Sequence, residues 1–213
     1  MTDHCRIAYI DCFSGISGDM FLGALLNAGL PLAELQSQLA LLGLDGYTLS
    51  VGRKSCGAIA ATTLSVQSEE SHPHRTLTDI RRLITASRLT EPVKETAIAI
   101  FSLLAEAEAR VHDRPVETVH FHEVGGIDSL VDIVGAAIGL AALKITILHC
   151  APLPMPRGWV HCAHGLLPLP APAVCELLQG VPAYGVELSQ ELVTPTGAAI
   201  IKALATGYGP MPA

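Results

Sequence analysis

Aromatic side chains are scarce, only 4% of 213 residues, so a core has to be assembled from Leu, Ala, Val and Ile. Charge is scarce too, at 15%, while half of the residues are apolar. That balance excludes an intrinsically disordered chain and leaves room for one or two folded domains. Basic clusters are missing: Arg81-Arg82 is an isolated pair and the net charge is −7. A nucleic-acid backbone is thereby excluded as the main partner, and an anionic substrate needs local donors rather than a global field. The cysteines, Cys5, Cys12, Cys56, Cys150, Cys162 and Cys175, include no C-x-x-C pair. With no signal peptide, they read as reduced thiols of a cytoplasmic protein. The longest apolar run, Ile133 to Leu143, has 11 residues, too few to span a membrane, so the expectation is a soluble protein without a membrane partner.

What is present concentrates in His120-Phe121-His122-Glu123-Val124-Gly125-Gly126-Ile127-Asp128-Ser129-Leu130-Val131-Asp132. If residues 118 to 122 are extended, His120 and His122 share one face and Phe121 takes the other. Gly125-Gly126 then breaks the chain. Asp128 and Asp132, four apart, stack on one side of the helix that follows. Two imidazoles facing two carboxylates suit a divalent metal or acid–base chemistry. The plainer alternative has Asp128 favoured by the helix dipole and the histidines on a solvated strand face.

The rest of the chain reads as mixed α/β, about eight helices around short strands, in one compact domain. A strand at 6–10 leads through Asp11-Cys12-Phe13-Ser14-Gly15-Ile16-Ser17-Gly18-Asp19-Met20 into a helix ending near Leu26. Strand, small-residue turn and helix can present N–H groups of Ser14, Gly15, Ser17 and Gly18 to an anion. It is neither a Walker A loop nor a dinucleotide fingerprint, and Asp19 repels a phosphate unless a cation lies between them. A tight turn with Ser17 as N-cap fits the same residues. Helices are expected over 32–42, 76–86, 91–111, 127–143 and 171–179, with paired strands at 47–51 and 62–66 and a strand at 145–148. Polar residues 68–75 read as a mobile loop, whose His72 and His74 are either cation ligands or solvated. Residues 151–172 are too proline-rich for a central ladder and read as a rigid cavity wall. His161, Cys162 and His164 are its only polar heads, with Cys162 alone more in keeping with packing. Thr194-Pro195-Thr196-Gly197 opens the last helix, as an ordinary cap or as an anion site.

Taken together, the 11–20 stretch, Val119-His120-Phe121-His122-Glu123-Val124-Gly125, Cys162-Ala163-His164-Gly165, Pro170-Ala171-Pro172-Ala173 and Glu191-Leu192-Val193-Thr194-Pro195-Thr196-Gly197-Ala198 resemble the LarC family of nickel insertion proteins. The resemblance runs from about Ile7 to Ala213. It implies a CTP-dependent cyclometallase that inserts nickel into pyridinium bis-thiocarboxylic acid mononucleotide, completing the nickel-pincer cofactor of lactate racemase. Family members carry a longer histidine run where this chain has His72-Pro73-His74, and they continue well past Ala213. The resemblance therefore implies an N-terminal, metal-handling portion of a longer or split protein. CTP and its divalent cation would be bound by the absent C-terminal part, itself an expected partner beside the mononucleotide, an apo-enzyme such as lactate racemase and a possible homo-oligomer. On this reading His120, His122 and Glu123 bind nickel, with His161, His164, His72 and His74 as further candidate ligands. Asp128, Asp132 and Asp19 are candidate acid–base residues. The mononucleotide phosphate sits on the Ser14–Gly18 turn or on the Thr194, Thr196 and Gly197 helix start. Two readings from other classes stand beside it: a nickel carrier without catalysis, and a metal-dependent phosphoester hydrolase.

Overall fold

The computed structural model describes residues 6–68, 75–119, 121, 125–162 and 165–212. The first strand, β1 (Arg6–Ile10), runs into α1 (Gly18–Asn27) and α2 (Leu32–Leu39). A 3-10 turn, Ala40–Leu42, follows and stops at Gly43 in the left-handed region. Strands β2 (Tyr47–Cys56) and β3 (Ile59–Ser68) form an antiparallel hairpin. Each is twice as long as the β-branched pattern indicates, because backbone pairing continues through exposed residues to a two-residue turn at Gly57 (φ 60°).

Helix α3 (Leu77–Ala86) opens with a reciprocal cap: Asp79 N–H donates to Thr76 Oγ1 at 3.2 Å, and Thr76 N–H to the Asp79 carboxylate at 3.1 Å. Helix α4 (Glu91–His112) buries the expected stripe of Val93, Ala97, Ile100, Phe101 and Leu104. Helix α5 (Ile127–Ala142) is the hub of the core, contacting α1, α2, α4 and α7. Its small residues permit this. A β-carbon at Gly139 would lie 2.7 Å from Leu25 Cδ1, so the Leu25 side chain of α1 packs directly on the bare backbone of α5.

Strand β4 (Ile145–Cys150) then pairs in parallel with β1, and β9 (Ala205–Tyr208) pairs in parallel with β4, giving a sheet of order β1-β4-β9. Between them come β5 (Leu153–Met155), β6 (Gly158–Cys162), β7 (Gly165–Leu169), α6 (Pro172–Leu177), β8 (Ala183–Gly185) and α7 (Pro195–Leu204). Among the described residues there are seven α-helices and nine strands in parallel and antiparallel pairs, an α/β fold.

Of residues 118 to 122 the described ones are Thr118, which ends a 3-10 turn, Val119, which has extended dihedrals, and Phe121, whose N–H donates to Arg75 O at 3.2 Å. Phe121 is 2% exposed and packs its ring 6.3 Å from that of Phe101. The proline-rich stretch stays outside the three-stranded sheet and makes the parallel pair β5·β8 and the antiparallel hairpin β6·β7. Pro168 is tolerated in β7 because a two-stranded ribbon leaves one edge of each strand unpaired.

Candidate functional site

The turn after β1 closes when Gly15 N–H donates to the Cys12 carbonyl at 2.8 Å. Ile16 then makes a two-residue parallel bridge with Val193: its N–H donates to Leu192 O at 2.8 Å, and its carbonyl accepts from Thr194 N–H at 3.1 Å. Gly15 (φ 96°) makes the approach possible, since a β-carbon there would overlap the Leu192 carbonyl. This bridge lashes the two candidate anion cradles into one place. The starts of α1 and α7 therefore lie together.

Helix α5 brings its first turn to the same place. Gly18 packs directly on Asp132, where any β-carbon would overlap the carboxylate. Together with hairpin β6·β7 these three helix starts enclose a cavity of about 350 Å³. Its lining includes Ser17, Gly18 and Asp19 from α1, Asp128, Ser129 and Asp132 from α5, and Thr194 and Thr196 from α7. Val160, His161, Cys162 and Leu167 of the hairpin, with Ala171, Glu191 and Pro195, complete it.

The electrostatics are mixed by construction. The starts of three helices, the positive ends of their dipoles, border the cavity. Ser17 sits at the N-cap position of α1 without capping it, because its hydroxyl donates instead to the Asp19 carboxylate. The N-cap of α5 is Gly126, which has no side chain to offer. At α7 the ordinary cap does form, with Thr194 Oγ1 accepting from Gly197 N–H at 3.2 Å.

Against these dipole ends stand the carboxylates of Asp19, Asp128, Asp132 and Glu191. Asp132 is the unusual one. Its Oδ1 is enclosed and makes no hydrogen bond. Burial, then the charges of Asp19 and Asp128, push its carboxyl up from the ordinary 3.8 to about 8. A carboxyl in that range can take or give a proton near neutral pH. Among the described residues no three His, Cys, Asp or Glu side chains are close enough to hold a metal ion. The aspartates alone do not make a metal centre.

The sequence candidates fall into three groups. Ser17, Gly18, Asp19, Asp128, Asp132, Thr194, Thr196 and His161 all border the cavity. Ser14, Gly15 and Gly197 lie outside its lining: Gly15 and Gly197 serve the close approach of two backbone segments, Gly197 sitting against the Ile16 carbonyl. His120, His122, Glu123, His164, His72 and His74 lie outside the described residues. Their flanks are tied together, because Phe121 N–H donates to Arg75 O at 3.2 Å and the Arg75 guanidinium donates to Gly125 O at 3.0 Å.

Cys162, which taken alone reads from the sequence as packing, borders the cavity. In the hairpin Val160 pairs with Leu167 and Cys162 with Gly165, while Trp159 pairs with Pro168 and His161 with Leu166. Val160, Cys162 and Leu167 are half-buried, and Trp159, His161, Leu166 and Pro168 are exposed. The pleat therefore turns Cys162 towards the cavity and His161 to the outer face. Period-two alternation along 159–162 carries that signal, but the prolines masked it.

Residues 8–213 match the family described as nickel insertion protein. This chain belongs to that family. It is 48% identical over 217 residues to the pyridinium-3,5-bisthiocarboxylic acid mononucleotide nickel insertion protein of Geobacillus kaustophilus, covering 97% of this chain and 53% of that protein. It is 49% identical over 207 residues to the protein of the same name from Desulfitobacterium hafniense, covering 97% of this chain and 52% of that protein. The chain thus spans about half the length of the curated relatives it matches. No solved structure matches it.

Proposed function

We propose that this chain carries the mononucleotide-binding and proton-accepting part of a CTP-dependent nickel insertion enzyme, a cyclometallase of the lyase class. The substrate is pyridinium-3,5-bisthiocarboxylic acid mononucleotide, named for the relatives. The product is the nickel-pincer cofactor, destined for lactate racemase or a similar apo-enzyme. The reading rests on one observation: the buried Oδ1 of Asp132, which makes no hydrogen bond, in a cavity bordered by the starts of three helices.

The phosphate of the mononucleotide is held at the joined starts of α1 and α7, both of which border the cavity. Asp19 and Asp128 keep a neighbouring cation in place and stop a lone anion from settling. Nickel insertion replaces a ring C–H bond by a nickel–carbon bond, so a proton must leave. Asp132 in its ionised form accepts that proton, and its raised pKa makes it a strong enough base. His120, His122 and Glu123 hold the incoming nickel as borderline ligands able to release it to sulfur. His72 and His74 serve the same ion, a reading supported by the hydrogen bond between Phe121 and Arg75. His164 is a further candidate ligand for that ion, whereas His161 stands on the outer face of hairpin β6·β7. CTP with its divalent cation is bound outside this chain, by the portion of the relatives that it does not match.

Calorimetry tests the assignment. The mononucleotide is titrated into wild type and Gly18→Ala, and nickel into wild type, His120→Ala/His122→Ala and His72→Ala/His74→Ala. Expected are loss of mononucleotide affinity in the glycine variant and loss of nickel in the first histidine pair. Mononucleotide binding unchanged by Gly18→Ala would place the substrate elsewhere. Nickel affinity unchanged in both histidine pairs would overturn the ligand assignment. Retention of nickel with no turnover, even when the remaining half and CTP are supplied, would favour the carrier reading.

A further inference from the structure

The three-stranded sheet breaks a rule of its kind. All-parallel sheets occur almost entirely with both faces covered, because the crossovers between parallel strands lay helices over them. Here, among the described residues, one face is covered. Leu148 and Cys150 of β4 are buried, and Ile10 and Tyr208 pack partly against the same core. Register puts Ile10 beside Cys150 and Cys150 beside Tyr208, so these residues share that covered face.

The opposite face carries Ile7 beside Ile147, and Tyr9 beside His149, which in turn pairs with Gly207. Ile7 is 58% exposed and Ile147 is 36% exposed. Two aliphatic side chains on a parallel sheet are thus left to water. Next to them the face is flat. The rings of Tyr9 and His149 stack at 6.2 Å with planes 24° apart, and Tyr9 OH donates to Gly209 O at 3.2 Å. Gly207 leaves room for His149, since a β-carbon there would lie 2.7 Å from Nδ1.

We propose that this face is a docking surface, and that its occupant is the portion of the nickel insertion proteins that this chain does not match. The relatives are about twice as long as the matched region, so there is enough further polypeptide to lay a helix across three strands. The chemistry asked of it is specific: an apolar strip over Ile7 and Ile147, small residues over the Tyr9–His149 stack, and an acceptor for the imidazole. A helix on that face completes the sandwich that parallel sheets require. The inference does not depend on where nickel or the mononucleotide binds.

Thiol labelling on intact proteins tests it. Ile147→Cys is made in this chain, and the aligned residue is changed to Cys in the full-length Geobacillus kaustophilus relative. Both are labelled with a maleimide and read peptide by peptide, which separates the new thiol from native ones. Ile59→Cys, at the 74% exposed tip of the β2·β3 hairpin, and its aligned counterpart serve as the open reference. The expected result is labelling at the Ile147 position roughly tenfold or more slower in the full-length relative than in this chain, with equal rates at Ile59. Fast labelling in both proteins overturns the proposal, because the face is then open in the whole enzyme. Slow labelling in both also overturns it, because the cover is then supplied by this chain itself. Ile7→Cys repeats the measurement from β1 should Ile147→Cys fail to fold.

Discussion

Gly18 at the start of α1 and Asp132 on the second turn of α5 touch face to face: a β-carbon on Gly18 would lie 2.6 Å from Asp132 Cβ. That contact does two things. It brings an uncapped helix start into the cavity, and it covers one side of the carboxylate. Gly18→Ala must therefore push α1 and α5 apart or turn Asp132 out of its place. The expected cost is about 1–3 kcal/mol of stability, the usual range for overpacking. Thermal unfolding of the variant beside wild type measures it, and an unchanged midpoint would mean that the two helices yield freely.

Asp132 also sets a pH dependence. Its folded-state pKa is pushed above its ordinary value, so the folded protein keeps a proton that the unfolded chain releases. By linkage, stability is highest at acid pH, falls as pH rises from about 4 through about 8, and levels off above that. The loss attributable to this group is at most about 6 kcal/mol. Asp132→Asn keeps the shape and removes the ionisation. Its stability relative to wild type should rise steadily over that window in urea titrations at pH 5, 7 and 9, while mononucleotide turnover in the complete enzyme is lost. Parallel pH profiles for the two proteins would show that Asp132 does not titrate in that range.

Much of this was legible in the sequence, and the reasons differ by element. The α4 stripe and the α5 hub announce themselves, because apolar side chains at helical spacing leave few other ways to be buried. Asp128 and Asp132 at a four-residue spacing give one carboxylate side without any tertiary knowledge. Two things were hidden. That the turn at Ser17 and the helix start at Thr194 form one site depends on the Ile16–Val193 bridge, a contact between segments 177 residues apart in numbering that no local pattern encodes. The burial of Phe121 likewise depends on a ring on α4.

The cap at α7 offers a separate check on that bridge. Thr194→Ala removes one side-chain acceptor from Gly197 N–H and should cost about 1 kcal/mol, or about 2–4 °C in Tm. Gly197→Ala should cost more, since its β-carbon meets the Ile16 carbonyl, a backbone group that cannot swing aside. Circular-dichroism melts rank the two variants. The reverse order would mean that the Ile16–Val193 bridge opens at little cost.

Hairpin β6·β7 makes the last prediction, because it separates two neighbouring residues by the pleat alone. His161 stands on the exposed face with Trp159 and Leu166, whereas Cys162 shares the cavity face with Val160 and Leu167. His161→Ala should then leave mononucleotide affinity within about twofold, less than 0.5 kcal/mol. Cys162→Leu adds bulk inside the cavity and should weaken it about tenfold or more, with a near-neutral effect on Tm because the site is half-buried. Calorimetry on the two variants decides between the faces. Equal losses would mean that the hairpin turns over its cavity edge, and loss only in His161→Ala would restore the imidazole as the group that meets the ligand.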